Sequence, residues 1–129
     1  MKTPAALLFS ALTLAACSQE GPGETPAPQP AAEVTGAAVD CLTVNRFNTT
    51  RIRDDNTIDF IGGAGGQVWR VTLPNRCNGL KSAGTFTYET SLSQLCRQDI
   101  IYPLQQIGGG WQRMGGCGMG PFVPVKLAK

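Results

Sequence analysis

The sequence contains no histidine among its 129 residues. Histidine is the commonest general base in enzymes and the commonest metal ligand, so its absence removes both usual roles together. Ser82, Ser91 and Ser93 therefore lack the side chain that usually activates a serine nucleophile, and no motif supports their pairing with Lys81. We therefore expect a binding or structural protein rather than an enzyme, with no cofactor and no bound metal.

A hydrophobic run of membrane-spanning length is also missing. The longest apolar stretch, PAALLFSALTLAA, covers thirteen residues at positions 4–16, whereas a transmembrane helix needs ~20. After the cationic start MKT, this stretch is typical of the core of a secretory signal peptide. It ends in LAAC at positions 14–17, which resembles the bacterial lipobox. That resemblance implies cleavage after Ala16 and acylation of Cys17; an ordinary secretory signal or an uncleaved anchor is the alternative.

Acylation of Cys17 would make this an envelope protein. Each buried methylene of the lipid contributes ~0.8 kcal/mol, so long acyl chains would hold the chain firmly to a membrane. Ser18 follows the cysteine, a pattern that resembles outer-membrane sorting. We expect a signal peptide at 1–16 and a lipoprotein that faces the periplasm from the outer membrane, where nucleic acid is not an expected partner.

The remaining four cysteines lack the C-x-x-C spacing of a zinc site. Cys41, Cys77, Cys96 and Cys117 are separated by 36, 19 and 21 residues. In an oxidising compartment four cysteines indicate two disulfides, with a four-thiolate zinc site as the alternative. Three pairings are possible. We predict Cys41–Cys117, which would tie the first strand to the last, and Cys77–Cys96, which would close a local loop.

Residues 18–39 contain four prolines and almost no apolar side chain larger than alanine. Proline blocks helices and strand ladders, and nothing here supplies a core, so 17–39 is predicted to be a lipidated cysteine followed by a disordered tether. The folded domain is then 40–129. It carries ten Lys and Arg against six Asp and Glu, an excess of about +4.

No ten-residue stretch of that domain shows a helical period. Short runs instead alternate between apolar and polar residues, as in TIDFI at 57–61 and QVWRVTL at 67–73. Turn residues such as DDNT and GGAGG separate them. We predict an all-β fold, a small disulfide-stapled antiparallel barrel or sandwich of about five to seven short strands.

Several segments of the domain are similar to the landmarks of an uncharacterised family of small exported bacterial proteins with four cysteines, a domain of unknown function. These segments are DCLTVNRF, DDNTIDF, VTLPNRCNGL, FTYETSLSQLC and CGMGPFVPV. They cover most of residues 40–125. The resemblance implies a four-cysteine framework on a compact β domain, and it supplies no activity, cofactor or catalytic residue. This chain differs in its lipobox, its tether and Met119.

Three acidic residues lie close together in sequence: Asp54, Asp55 and Asp59. Carboxylates at this spacing are candidates for a cation site or for an acid–base pair that hydrolyses glycans. The segment lacks the turn glycine and distal acid of a calcium loop. We therefore expect a tight turn with solvated carboxylates.

Arginine and tryptophan supply the candidate binding surface. Arg51 and Arg53 share one face of a predicted strand, and Arg70 can lie across the sheet. Arginine binds phosphate and carboxylate bidentately, although a solvated charged face is the simpler interpretation. Trp111, close to Arg113, can stack on a sugar ring or a partner, or can cap the end of a barrel.

Trp111 lies in IGGGWQRMGGCGMGPF, where seven glycines occupy thirteen positions. The segment matches no phosphate-binding loop. We interpret Gly115, Gly116, Gly118 and Gly120 as positions that let the backbone bend around Cys117 through positive φ.

The function expected from the sequence is a membrane-anchored periplasmic lipoprotein whose β domain has a structural or binding role. Its partner would be an envelope protein, or an anionic glycan or lipid. An inhibitor of an envelope-attacking enzyme such as a lysozyme is the alternative, supported by architectural analogy. A hydrolase of cell-wall glycan that uses Asp54, Asp55 or Asp59 is the least favoured.

Overall fold

The computed structural model describes residues 27–63, 65–90 and 92–129. Three predicted features lie outside the described residues: the signal peptide at 1–16, the lipidation site Cys17 and the first part of the tether, up to residue 26. Within the described ranges, no helix is long and apolar enough to cross a membrane. The fold is all-β with antiparallel sheets and two disulfides, as predicted.

The described chain forms short strands joined mainly by turns. In chain order the strands are β1 Ala32–Val34, β2 Cys41–Thr43, β3 Thr49–Asp54, β4 Thr57–Ile61, β5 Val68–Thr72, β6 Phe86–Tyr88, β7 Gln94–Cys96, β8 Ile100–Ile107, β9 Gly110–Arg113, β10 Cys117–Gly118 and β11 Phe122–Leu127. A 3₁₀ turn covers Val44–Arg46, and one short helix, α1, covers Leu80–Ala83.

The largest sheet has five antiparallel strands in the order β1-β11-β5-β4-β3. Alternation places Ile58 and Phe60 on its inner face, as predicted, and both side chains are fully buried. The Phe60 ring meets Phe122 of β11 edge-on, with 5.2 Å between ring centroids. Trp69, opposite Phe60 in the register, is also buried. This aromatic face is the centre of the core.

Two smaller sheets complete the core. Strand β8 pairs with β6, β9 and β10, while β2 and β7 form a separate two-stranded ribbon. Leu42 and Leu95 come from the ribbon, and Ile101 comes from β8; all three belong to the same buried cluster as Phe60. Residues of all three sheets therefore share one hydrophobic core, and the burial of their apolar surface is the main stabilising term.

The outer face of the main sheet holds a buried carboxylate. Asp59 of β4 is fully buried, and its Oδ2 accepts a hydrogen bond of 2.7 Å from Arg53 Nε. Arg70 donates to both Asp59 oxygens, at 2.7 and 2.9 Å. Its Nη2 also donates to the carbonyl oxygen of Pro30 at 2.9 Å. Three strands and the N-terminal segment are thus joined at one charged group.

The ordered domain begins before the boundary predicted at Asp40. Part of the segment predicted as tether is an edge strand, because β1 pairs with β11 through residues 32–34. Val39 also bridges to Phe122, with reciprocal backbone bonds of 2.9 Å. The side chains of Ala32, Glu33 and Val34 show no apolar pattern that would predict a strand. The strand forms nevertheless, because backbone hydrogen bonds alone can pair an edge strand with its neighbour.

The predicted disulfide pairing is wrong. The bonds are Cys41–Cys96 and Cys77–Cys117, with Cα separations of 4.0 and 5.7 Å. Cys41 and Cys96 face each other in the β2–β7 register. The strand of Cys41, β2, is not next to the last strand as the prediction assumed, because it pairs with β7. The segments that meet β11 are β1 and Val39, through backbone hydrogen bonds. No disulfide is needed for that contact. Cys41 forms its disulfide with Cys96 of β7 instead.

Tryptic peptide mapping without reduction tests this pairing. Cleavage after lysine and arginine separates all four cysteines into different peptides. We expect the peptide 82–97 to be linked to the peptide that ends at Arg46, and the peptide 77–81 to be linked to 114–126. A peptide that joins 77–81 to 82–97 would contradict the structure.

Replacement of the buried carboxylate should be strongly destabilising. Asp59→Asn leaves two arginines without their counter-charge, and the loss of one partner of a buried ion pair costs ~3–5 kcal/mol. Asp40→Asn is the matched control, because Asp40 and Arg97 form an exposed pair, with side-chain exposures of 71% and 56%; we expect ~1 kcal/mol or less. Urea unfolding of the oxidised proteins measures both, and equal free energies of unfolding for the two variants would refute this role of Asp59.

Candidate functional site

The predicted binding residues do not form one surface. Arg51, Arg53 and Arg70 lie on the main sheet, whereas Trp111 and Arg113 lie on β9. Arg53 and Arg70 are largely committed to Asp59. The five residues therefore divide between two regions with different surroundings.

The acidic cluster does not assemble into a site. Asp54 accepts a bond of 2.7 Å from the Asn56 amide in the turn between β3 and β4. Asp55 binds Arg76 at 3.0 Å and accepts from the Lys81 amide at 2.9 Å. Asp59 is sealed between its arginines with no exposed surface. Among the described residues, no group of three or more acidic or cysteine side chains is placed to hold a metal ion. Each carboxylate has a structural partner, and a buried Asp59 offers no surface to a glycan.

Trp111 lies on a β-hairpin that was not among the predicted strands. Strands β8 and β9 are joined at Gly108 and Gly109, whose φ angles are 60° and 84°. Positive φ at both turn residues is the requirement of a type I′ turn, which glycine meets without strain. The run of three glycines at 108–110, between QQI and WQR, is the signal that predicts such a hairpin.

One face of this hairpin is aromatic and polar. Register places Gln106 opposite Trp111, and Leu104 opposite Arg113. Tyr102 lies two residues before Leu104 on the same face. We call these five residues, Tyr102, Leu104, Gln106, Trp111 and Arg113, the hairpin face. Trp111 is 60% exposed, so it does not cap the core.

Arg113 is held in place on this face. Its guanidinium lies over the Tyr102 ring, 5.2 Å from the centroid, and its Nη2 donates to Glu89 Oε1 at 2.8 Å. A cation over an aromatic face is attracted by the ring quadrupole, by about 0.5–1 kcal/mol at an exposed site. Two partners therefore restrict the guanidinium beside the exposed indole. The hairpin face combines a flat apolar platform with oriented polar groups, which is suited to binding rather than to proton transfer.

The glycines after the hairpin act differently from the prediction. Gly115, Gly116, Gly118 and Gly120 do not have positive φ. Gly116 instead allows close packing, because a Cβ there would lie 2.7 Å from Ile100 Cγ2 and 2.9 Å from Tyr102 Cε1. A Cβ on Gly120 would overlap the Thr72 carbonyl oxygen. Gly116 and Gly120 therefore allow the returning chain to lie against β8 and β5 at the base of the hairpin.

Comparisons with protein-family models, with characterised proteins and with solved structures find no match to this chain. Its function is therefore inferred from its own residues.

The close approach at Gly120 predicts a position-specific effect of a methyl group. We expect Gly120→Ala to destabilise the domain by ~1–3 kcal/mol, because backbone atoms must move to admit the new Cβ. A Cβ on Gly118, two residues away, would meet no atom within 4 Å, so Gly118→Ala should change stability by ~0.5 kcal/mol or less. Thermal and urea unfolding of both variants measure this difference, and equal stability would show that the close approach is wrong.

Proposed function

We propose that this protein is a lipid-anchored binding module of the bacterial envelope, and that the hairpin face binds cell-wall glycan. The lipobox-like LAAC and the thiol of Cys17 support the anchor. Two disulfides are consistent with an oxidising compartment such as the periplasm.

The observation that carries the binding role is the exposure of Trp111 beside a restrained arginine. Exposure of a large aromatic ring to water forgoes the gain from its burial, since a buried aromatic removes ~150–250 Å² from solvent. Tryptophan, tyrosine and arginine are also the residue types enriched at binding hot spots. All three types are present on the hairpin face.

Glycan is the ligand that best suits this chemistry. The apolar face of a sugar ring can stack on the Trp111 indole, while its hydroxyl groups bond to the amide of Gln106. Cell-wall glycan also carries carboxylates, and Arg113 retains N–H donors beyond the one that binds Glu89. The hairpin face therefore offers one group for each part of such a ligand.

Co-sedimentation with purified cell-wall sacculi tests the proposal. The lipoprotein in detergent should sediment with the sacculi, and Trp111→Ala should weaken binding about tenfold or more, as loss of a hot-spot aromatic does. Ile107→Ala is the matched control: Ile107 is 50% exposed on the same hairpin, but on the opposite face, so its loss should have no effect.

Absence of wild-type binding, or equal loss in the two variants, would count against the hairpin face as a glycan site. Binding of a lytic enzyme by the same face would instead select the inhibitor alternative.

A further inference from the structure

A second candidate site lies at the edge of the main sheet, away from the hairpin face. It is an open pocket of about 370 Å³ between β3, α1 and the N-terminal segment. Its lining residues are Gln29, Thr50, Arg51, Ile52, Arg53, Lys81 and Gly84. Three of these side chains are cationic and none is a carboxylate, so the pocket has the charge of an anion site.

The arginines at this pocket outnumber their counter-charges. Asp59 is one carboxylate shared by Arg53 and Arg70, and its two oxygens already accept three hydrogen bonds. Arg51 is the register neighbour of Asp59, yet it forms no ion pair with any residue in the described ranges. Arg51 is an exposed residue, so its donors are available to a ligand.

Lys81 adds a second available charge. Its Nζ donates to the Ile52 carbonyl oxygen at 3.0 Å, which holds the ammonium at the pocket while leaving two donors. In the described part of the chain, Lys81 also forms no ion pair with a carboxylate. A guanidinium fork beside an ammonium point charge is a combination that suits a phosphate group.

The N-terminal segment limits the distance between this pocket and Cys17. Gln29 forms part of the pocket wall, and the adjacent Pro30 is bonded to Arg70. Gln29 follows Cys17 by twelve residues, which span at most ~43 Å when fully extended. If Cys17 carries the lipid of the proposed function, on which this step rests, the pocket lies within that distance of the membrane surface.

We propose that the pocket of Arg51, Arg53 and Lys81 binds the phosphate of an anionic phospholipid headgroup, and thereby orients the domain on the membrane that anchors it. A free phosphate or a phosphorylated sugar offers the same chemistry. The membrane is favoured because the pocket wall and the path to the anchor are one continuous segment.

Vesicle binding of the mature chain, which begins at residue 17 and carries Cys17→Ser, tests the proposal, because this form has neither the acyl lipid nor the apolar segment 4–16. We expect it to bind vesicles of phosphatidylcholine mixed with phosphatidylglycerol, more weakly as salt is raised, and not to bind phosphatidylcholine alone. The double variant Arg51→Gln/Lys81→Gln should lose about thirtyfold in affinity, at about fivefold for each charge near an anionic surface.

The double variant Lys126→Gln/Lys129→Gln is the control, since it removes the same charge from exposed positions outside the pocket. It should keep near-wild-type binding, and thermal unfolding checks that both double variants remain folded. Equal loss of vesicle affinity in both double variants would show general charge attraction and would contradict the pocket as the binding site. Binding of inorganic phosphate at the pocket without vesicle binding would overturn the lipid assignment. Failure of the proposed function appears separately, as an unacylated Cys17 by mass spectrometry or as no binding to sacculi.

Discussion

The buried ion pair of Asp59 with Arg53 and Arg70 is the constraint on which the rest of the main sheet depends. A fully buried carboxylate is tolerated only when its charge and its lone pairs are satisfied, and three hydrogen bonds from two strands do so here. A register slip of one residue would turn Asp59 towards the aromatic core. Arg70 also donates a hydrogen bond to the Pro30 carbonyl oxygen. The pairing of β3, β4 and β5 and the position of the N-terminal segment are therefore fixed together.

The hairpin face depends on a second constraint, the way its base is held. The Cys77–Cys117 bond ties the chain after β9 to the loop before α1. Gly116 and Gly120 then permit contacts that any side chain would obstruct. The hairpin extends from this base, and Trp111 is exposed because, in the described part of the chain, β9 pairs with β8 alone. The base of the hairpin is therefore held by covalent and packing contacts while Trp111 is exposed to solvent, an arrangement that favours a preorganised binding site.

Local patterns in the sequence were sufficient for the core strands. Alternation in TIDFI and QVWRVTL correctly predicts that Ile58, Phe60 and Trp69 are buried, because the order of apolar and polar residues within a strand indicates its buried face. Local patterns do not indicate which distant segments pair with each other. The partner of Cys41 depends on which strand lies beside β2, and β1 joins the sheet by backbone bonds that its side chains do not encode. The glycines before Trp111 can predict the hairpin, but the exposure of Trp111 depends on which strands lie beside β9, and that is a pairing between distant segments.

The proposal that the hairpin face is a binding surface in the envelope is tested most directly by hydrogen–deuterium exchange of the protein in isolated envelopes and in detergent. Amides protected by a bound partner exchange more slowly than the same amides in the free protein. If the hairpin face binds a partner there, peptides that cover 104–113 should exchange more slowly in envelopes than in detergent. Unchanged exchange in that hairpin, with protection at other surfaces of the domain, would contradict it.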